Sequence, residues 1–118
     1  MNKICTSQEQ SKKLIELGID VNTADMFWDT LFAKKPEAQV DNHHFVDEYD
    51  DKYRVPAWSL SALMELMNRN YYNMSLNCHG AEWDVKFDDS ETYKAFTKDY
   101  AVDAAFEMIC WLLENKKL

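Results

Sequence analysis

The sequence predicts an α+β fold: a small antiparallel sheet built from two hairpin-like strand pairs, with three helices, in the order αββαββα. Three observations predict it. From Val102 to Leu113 the apolar residues Val102, Ala105, Phe106, Ile109, Leu112 and Leu113 recur at three- and four-residue spacing, the period of a helix with one buried face. Tyr72, Met74, Leu76 and Cys78 alternate with Asn73, Ser75 and Asn77. Trp83, Val85 and Phe87 then alternate with Glu82, Asp84, Lys86 and Asp88, so both segments read as half-buried strands. The link His79-Gly80-Ala81 is short and carries a glycine, which suits an antiparallel hairpin. Strands and helices mixed in this way, with no βαβ alternation, place helices against one face of an antiparallel sheet.

Each element has its own signals. The first helix is expected over about Ser7–Leu17, where Ser7 with Gln10, or Thr6 with Glu9, has capping-box spacing and Gly18 suits a left-handed stop. Its apolar face, Leu14, Ile15 and Leu17, is thin, so it is expected at the edge of the fold. A third strand is expected over Met26–Phe32 and a fourth near Tyr53–Val55. The segment from Lys34 to Asp51 between them has no sustained period and reads as a loop or irregular hairpin. After Pro56, Ser59 can accept a first-turn amide while Leu60, Leu63, Met64 and Met67 form a stripe. Glu65 and Arg69 stand four apart on the other side, a surface pair worth a few tenths of a kcal/mol. For the last helix Asp99 is the expected cap. Asp103, Glu107 and Glu114 form a narrow polar stripe, Ala104, Met108 and Trp111 widen the apolar arc, and Asn115-Lys116-Lys117 brings positive charge to the final carbonyls.

Composition bounds the rest. The 118 residues are 47% hydrophobic and 14% aromatic, too apolar for a disordered chain. They suffice for a single domain over 1–118, in which 34–51 is an acidic variable loop. Three widely spaced cysteines, Cys5, Cys78 and Cys110, cannot build a disulfide framework, and no basic segment leads into an apolar run at the amino terminus. The longest uncharged apolar run, Met108 to Leu113, falls far short of the ~20 residues of a membrane span. These features predict a cytoplasmic protein with reduced thiols and no membrane partner.

Charge is the most informative feature. Against 13 basic residues stand 21 acidic ones, a net charge of −8. Residues 41–91 hold four basic and eleven acidic side chains, a balance of −7, so the middle of the chain carries nearly all the excess. Two clusters create it: Asp41, Asp47, Glu48, Asp50 and Asp51, and the hairpin group Glu82, Asp84, Asp88, Asp89 and Glu91. Solvation accounts for such residues in general. Beyond that, they suit a surface that docks a basic partner or imitates nucleic-acid charge. Direct nucleic-acid binding calls for a basic patch that the sequence lacks.

Motifs for catalysis are missing. His43-His44 beside Asp41, Asp47 and Glu48 is the one segment dense in metal-capable side chains, but no HExxH-like register sets them on one face. Cys78-His79 suggests a thiolate and base, yet the alternation points Cys78 inward with Leu76, where a thiol is inert. Cys110, at the edge of the helical polar stripe, is expected to be partly accessible, and Cys5 exposed and incidental. There is no CxxC, no GxSxG, and Gly18 and Gly80 alone cannot form a phosphate-cradling loop. Trp28, Trp58, Trp83 and Trp111 fit core packing. Tyr71 and Tyr72 with Tyr49 and Tyr53 add amphipathic surface, and the tyrosines next to the acidic segment, Tyr49 and Tyr53, suit a protein-binding patch.

Three strings stand out together: Cys5-Thr6-Ser7 with Glu9-Gln10-Ser11-Lys12-Lys13-Leu14, running to Gly18-Ile19-Asp20 and Thr23-Ala24-Asp25-Met26; Pro56-Ala57-Trp58-Ser59-Leu60-Ser61-Ala62-Leu63; and Ala104-Ala105-Phe106-Glu107-Met108-Ile109-Cys110-Trp111-Leu112-Leu113-Glu114-Asn115. With them the chain resembles a family of short uncharacterised proteins of prophages and related mobile elements in gut Bacteroidetes, over most of its length outside Lys34–Asp51. The resemblance implies a cytosolic, phage or mobile-element setting and no catalytic residue or cofactor. The expectation is a small non-enzymatic accessory or interaction protein that presents Asp47, Glu48, Asp50 and Asp51, with Tyr49 and Tyr53, to a basic protein partner. Two alternatives stand beside it: a metal-dependent hydrolase or nuclease using His43, His44, Asp47 and Glu48, and a homo-oligomeric structural component. Oligomeric state is not legible.

Overall fold

A computed structural model describes residues 3–29, 37–40, 54–68 and 74–118, with 37–40 described by backbone alone. Its elements are α1 (Gln8–Glu16), a 3₁₀ turn (Val21–Thr23), β1 (Met26–Asp29), β2 (Glu37–Val40), β3 (Arg54–Ala57), α2 (Leu60–Asn68), β4 (Met74–His79), β5 (Glu82–Asp88), β6 (Tyr93–Lys98) and α3 (Ala101–Glu114). The fold is α+β, with helices alternating with strand groups in the predicted order. Each predicted strand pair carries a third strand, so there are two antiparallel sheets, β2-β1-β3 and β4-β5-β6. β2 lies within the stretch expected to be a loop or irregular hairpin. The chain divides into two compact units, Cys5–Ala62 and Met1–Ile4 with Leu63–Leu118. No change of composition marks that division. Among the described residues no helix is long and apolar enough to cross a membrane.

In the unit Cys5–Ala62, Ser7 caps α1. Its hydroxyl accepts the Gln10 amide at 3.1 Å, the Gln10 side chain accepts the Ser7 amide at 2.9 Å, and Gly18 takes φ +98° beyond the last turn. The helix buries only Ser11 and Leu14 and packs against β3. Its thin apolar face is real, and a serine completes it. β1 is the central strand, pairing Met26–Asp29 with Val40–Glu37 on one side and with Ala57–Arg54 on the other. Pro56 is tolerated because β3 is an outer strand. Cys5, expected at the surface, is 2% exposed, bridges Ser59 and packs with Met26 and Ala57.

A polar knot ties this unit together. Thr6 and Ser11 are fully buried with their hydroxyl oxygens 2.8 Å apart, and Thr6 Oγ1 also accepts the Trp58 amide at 3.1 Å. The Thr6 amide donates to the Trp58 carbonyl at 2.9 Å, and the Trp28 indole donates to the Thr6 carbonyl at 2.9 Å. Trp58, fully buried, donates its indole N–H to Thr23 Oγ1 at 2.9 Å. Asp25 accepts both the amide and the hydroxyl of Ser59, whose oxygen in turn accepts the Ala62 amide at 3.2 Å and so caps α2. Along α2, whose residues from Leu63 on belong to the other unit, Ala62, Leu63, Leu66 and Met67 are buried, while Leu60 and Met64 are half-buried. The predicted stripe is rotated because apolar residues on both sides of it satisfy a helical period.

In the other unit α3 packs chiefly on β5 and β6. It buries Val102, Ala104, Ala105, Met108, Ile109, Cys110 and Leu112. Cys110, expected to be partly accessible, is therefore a core residue, since the covered arc of the helix is wider than its strongest apolar stripe. Tyr100, not Asp99, takes the N-cap position and makes no side-chain cap bond, while Asp103 in the first turn pairs with Lys3. The helix ends with Lys116 at φ +55°. The Lys116 amide donates to the Leu113 carbonyl and the Lys117 amide to the Leu112 carbonyl, a Schellman arrangement that turns Lys117 back towards the sheet.

Candidate protein-interaction surface

The residues expected to carry partner binding, Asp47, Glu48, Tyr49, Asp50, Asp51 and Tyr53, lie outside the described residues, as do His43 and His44. The second acidic cluster is described in full. Strand alternation on β5 directs Trp83, Val85 and Phe87 to the face covered by α3 and Glu82, Asp84, Lys86 and Asp88 to the opposite face. Cross-strand register adds Ser75, Asn77 and His79 from β4, and Tyr93, Ala95 and Thr97 from β6. This outer face is open: Glu82, Asp88, Ser75, Asn77, His79 and Thr97 are exposed, and Tyr93 is 62% exposed.

The five carboxylates of the cluster divide into two kinds. Asp84 is committed to the sheet: Thr97 Oγ1 donates to one oxygen at 2.6 Å, His79 Nε2 lies 2.9 Å from the other, and only 13% of the side chain is exposed. Asp89 is committed to the β5–β6 turn. Lys117 donates to its Oδ2 at 2.9 Å, and the amides of Thr92 and Glu91 donate to its Oδ1 at 2.6 and 3.1 Å. Those bonds, led by Lys117, hold its carboxyl below the ordinary aspartate value of 3.8. Glu82, Asp88 and Glu91 remain at the surface, although Asp88 accepts the Ser90 amide at 2.9 Å to set the turn, where Ser90 takes φ +71°.

Because the Asp89 carboxyl titrates lower when folded, its contribution to stability is complete above the unfolded value and is lost as pH falls through the folded one. The stability difference between the wild type and Asp89→Asn is therefore expected to be fully present above the ordinary aspartate range and to shrink as pH falls through and below it. Urea unfolding at a series of pH values measures it. A difference that stays constant with pH would show that the Asp89 charge does not hold Lys117.

Cys78 departs from its expected place. It is exposed, with its Sγ 3.4 Å from the Gly80 carbonyl. Alternation does turn it to the side of Leu76 and Met74, but α3 packs chiefly on β5 and β6. Among the described residues no three of His, Cys, Asp and Glu are grouped to hold a metal ion. Two contributors to the open face carry no sequence signal. Tyr93 and Thr97 belong to β6, whose inward positions include Lys94 and Lys98, so apolar alternation fails there. Lys94 Nζ instead lies 5.1 Å from the Phe96 ring centroid. No family model, curated protein or solved structure matches the chain.

Proposed function

We propose that this protein is a small non-enzymatic accessory or interaction protein that presents an acidic surface to a basic protein partner, in the cytosolic, phage or mobile-element setting its sequence strings suggest. The observation that supports it is the outer face of β5, opposite α3, where Glu82 and Asp88 stand exposed and, with the anchored Asp84, outnumber Lys86, the one cation of the strand on that face. Exposed charges of this kind steer encounter and tune affinity through individually small terms. The acidic segment Asp47, Glu48, Asp50 and Asp51 adds to the same sign of field.

The test is capture of partners by the tagged protein at low and high salt with nuclease treatment, followed by titration of the purified partner. Combined Glu82→Gln, Asp88→Asn and Glu91→Gln substitution is expected to raise Kd roughly tenfold at low salt and to flatten its salt dependence, with the fold intact. Neutralising Asp47, Glu48, Asp50 and Asp51 to Asn or Gln is the parallel arm and has the same expected direction. Unchanged affinity in both arms, or a partner without a basic surface, would overturn the reading.

A further inference from the structure

On the outer face of the sheet β4-β5-β6 the charges follow one another along β5 as Glu82, Asp84, Lys86 and Asp88. Lys86 stands between Asp84 and Asp88 and offsets one carboxylate, whereas Glu82 and Asp84 are successive positions with no cation between them. The hairpin end is therefore the most acidic part of this face. His79 sits there: it is the cross-strand partner of Glu82, and its Nε2 lies 2.9 Å from Asp84 Oδ2. Thr97 donates to the other Asp84 oxygen at 2.6 Å, which fixes the carboxylate within reach of the ring. The His79 side chain is 61% exposed, so protons reach it from water. The other charged or titratable groups of this face among the described residues are Lys86, Asp88 and, on β6, Tyr93, with Asp99 just past the end of that strand. β4 adds none besides His79, since its other outward residues are Ser75 and Asn77, and α3 lies on the opposite face.

Histidine is the side-chain type that changes charge between about pH 5 and 8, a range in which carboxylates stay ionised and lysine and tyrosine keep their protons. Of the residue types on this face, only that of His79 does so. Nε2 can carry a proton in the neutral ring as well as in the charged one, so the contact with Asp84 survives and what changes is the field. With a neutral ring, three carboxylates of β5 against one lysine leave a balance of −2, and a proton on His79 halves it. The added charge stands beside both carboxylates of the hairpin end, well within the roughly 10 Å over which exposed charges act at 0.1 M salt. We propose that His79 is a proton-operated control on the acidic surface: neutral, it leaves Glu82 and Asp84 to a cationic partner, and charged, it takes that partner's place. This rests on the acidic-surface reading above and adds its regulation.

The test is a set of NMR titrations with acetylated, amidated hexalysine at low salt, in a background where His43 and His44 are changed to Gln, so that His79 is the last of the three histidines. Amide shifts within Glu82–Asp88 report Kd at this face, and the His79 ring reports its own titration. Lowering the pH from about 7.5 to about 5.5 is expected to raise Kd about threefold, following the titration of the ring, and to leave Kd unchanged once His79→Gln is added. His79→Lys, permanently charged, is expected to show the weaker Kd at both pH values. An equal pH dependence with and without His79→Gln, or none in either, would overturn control by His79 while leaving the acidic-surface reading standing, because the peptide still binds. Binding by His79→Lys as tight as that of the protein with neutral His79 would overturn it as well. Hexalysine that leaves the Glu82–Asp88 amides unmoved at the higher pH would overturn both this control and the acidic surface of β5.

Discussion

Thr6→Val is expected to destabilise the protein by roughly 2–4 kcal/mol, the cost of leaving two buried polar groups without a partner. The substitution preserves shape, so packing is not what it removes. Thr6 Oγ1 accepts the Trp58 amide and meets the Ser11 hydroxyl, and both Thr6 and Ser11 are fully buried. Without that oxygen, neither the amide nor the hydroxyl has water to turn to. Thr6→Ser keeps the oxygen and loses one methyl, for about 1 kcal/mol. Urea unfolding of the three proteins separates the cases, and the larger loss corresponds to a fall in Tm on the order of 10 °C. Equal midpoints for Thr6→Val and Thr6→Ser would mean that the hydroxyl network does not hold α1 to the strand that precedes Trp58.

This knot shows where sequence reasoning stops. The capping box of α1 is legible because Ser7 and Gln10 are three residues apart, and the left-handed glycine at 18 because it follows a periodic run. Thr6 meets Trp58 across a separation of 52 residues, Trp58 meets Thr23 across 35, and Asp25 meets Ser59 across 34. No local period encodes such pairs, so Thr6 reads as an alternative helix cap, Thr23 and Asp25 as ordinary polar residues, and Cys5 beside them as an exposed one. β4 and β5 are legible because their outward positions are polar, whereas β6 is not because lysines occupy its inward ones.

The candidate surface was legible in the same partial way. Alternation alone puts Glu82, Asp84 and Asp88 on one face. It cannot show that His79 and Thr97 claim Asp84, since that follows from the register of three strands, or that Lys117 claims Asp89 from the end of α3. Five acidic side chains in the sequence thus become two structural anchors and three surface charges. The exposure of Cys78 has a related reason: strand period gives the direction of a side chain, while its cover depends on which strands a helix spans.

Phe87→Ala is expected to cost about 3–5 kcal/mol, the range for truncating a buried aromatic. Phe87 is fully buried on the inner face of β5, between Met74 and Lys94 in the cross-strand register. The Trp111 ring of α3 lies with its centroid 5.8 Å away at 55°, and Lys117 Nζ stands 5.8 Å from the Phe87 ring on its way to Asp89. One side chain therefore supports the helix, the central strand and the residue that ties the carboxyl terminus to the β5–β6 turn. Typical domains are stable by only about 5–15 kcal/mol, so the alanine variant sits near the threshold of folding. Phe87→Leu, with most of the volume kept, is expected to cost about 1 kcal/mol and to remain folded. Combined with Trp111→Leu in a double-mutant cycle, it should show a coupling of about 0.5–1.5 kcal/mol from the ring pair. Additivity would mean that the two rings share a core without interacting. Because Glu82 and Asp88 lie on the other face of β5, the leucine variant should leave the proposed acidic surface unchanged, which separates the side of the strand that holds the fold from the side proposed to meet a partner.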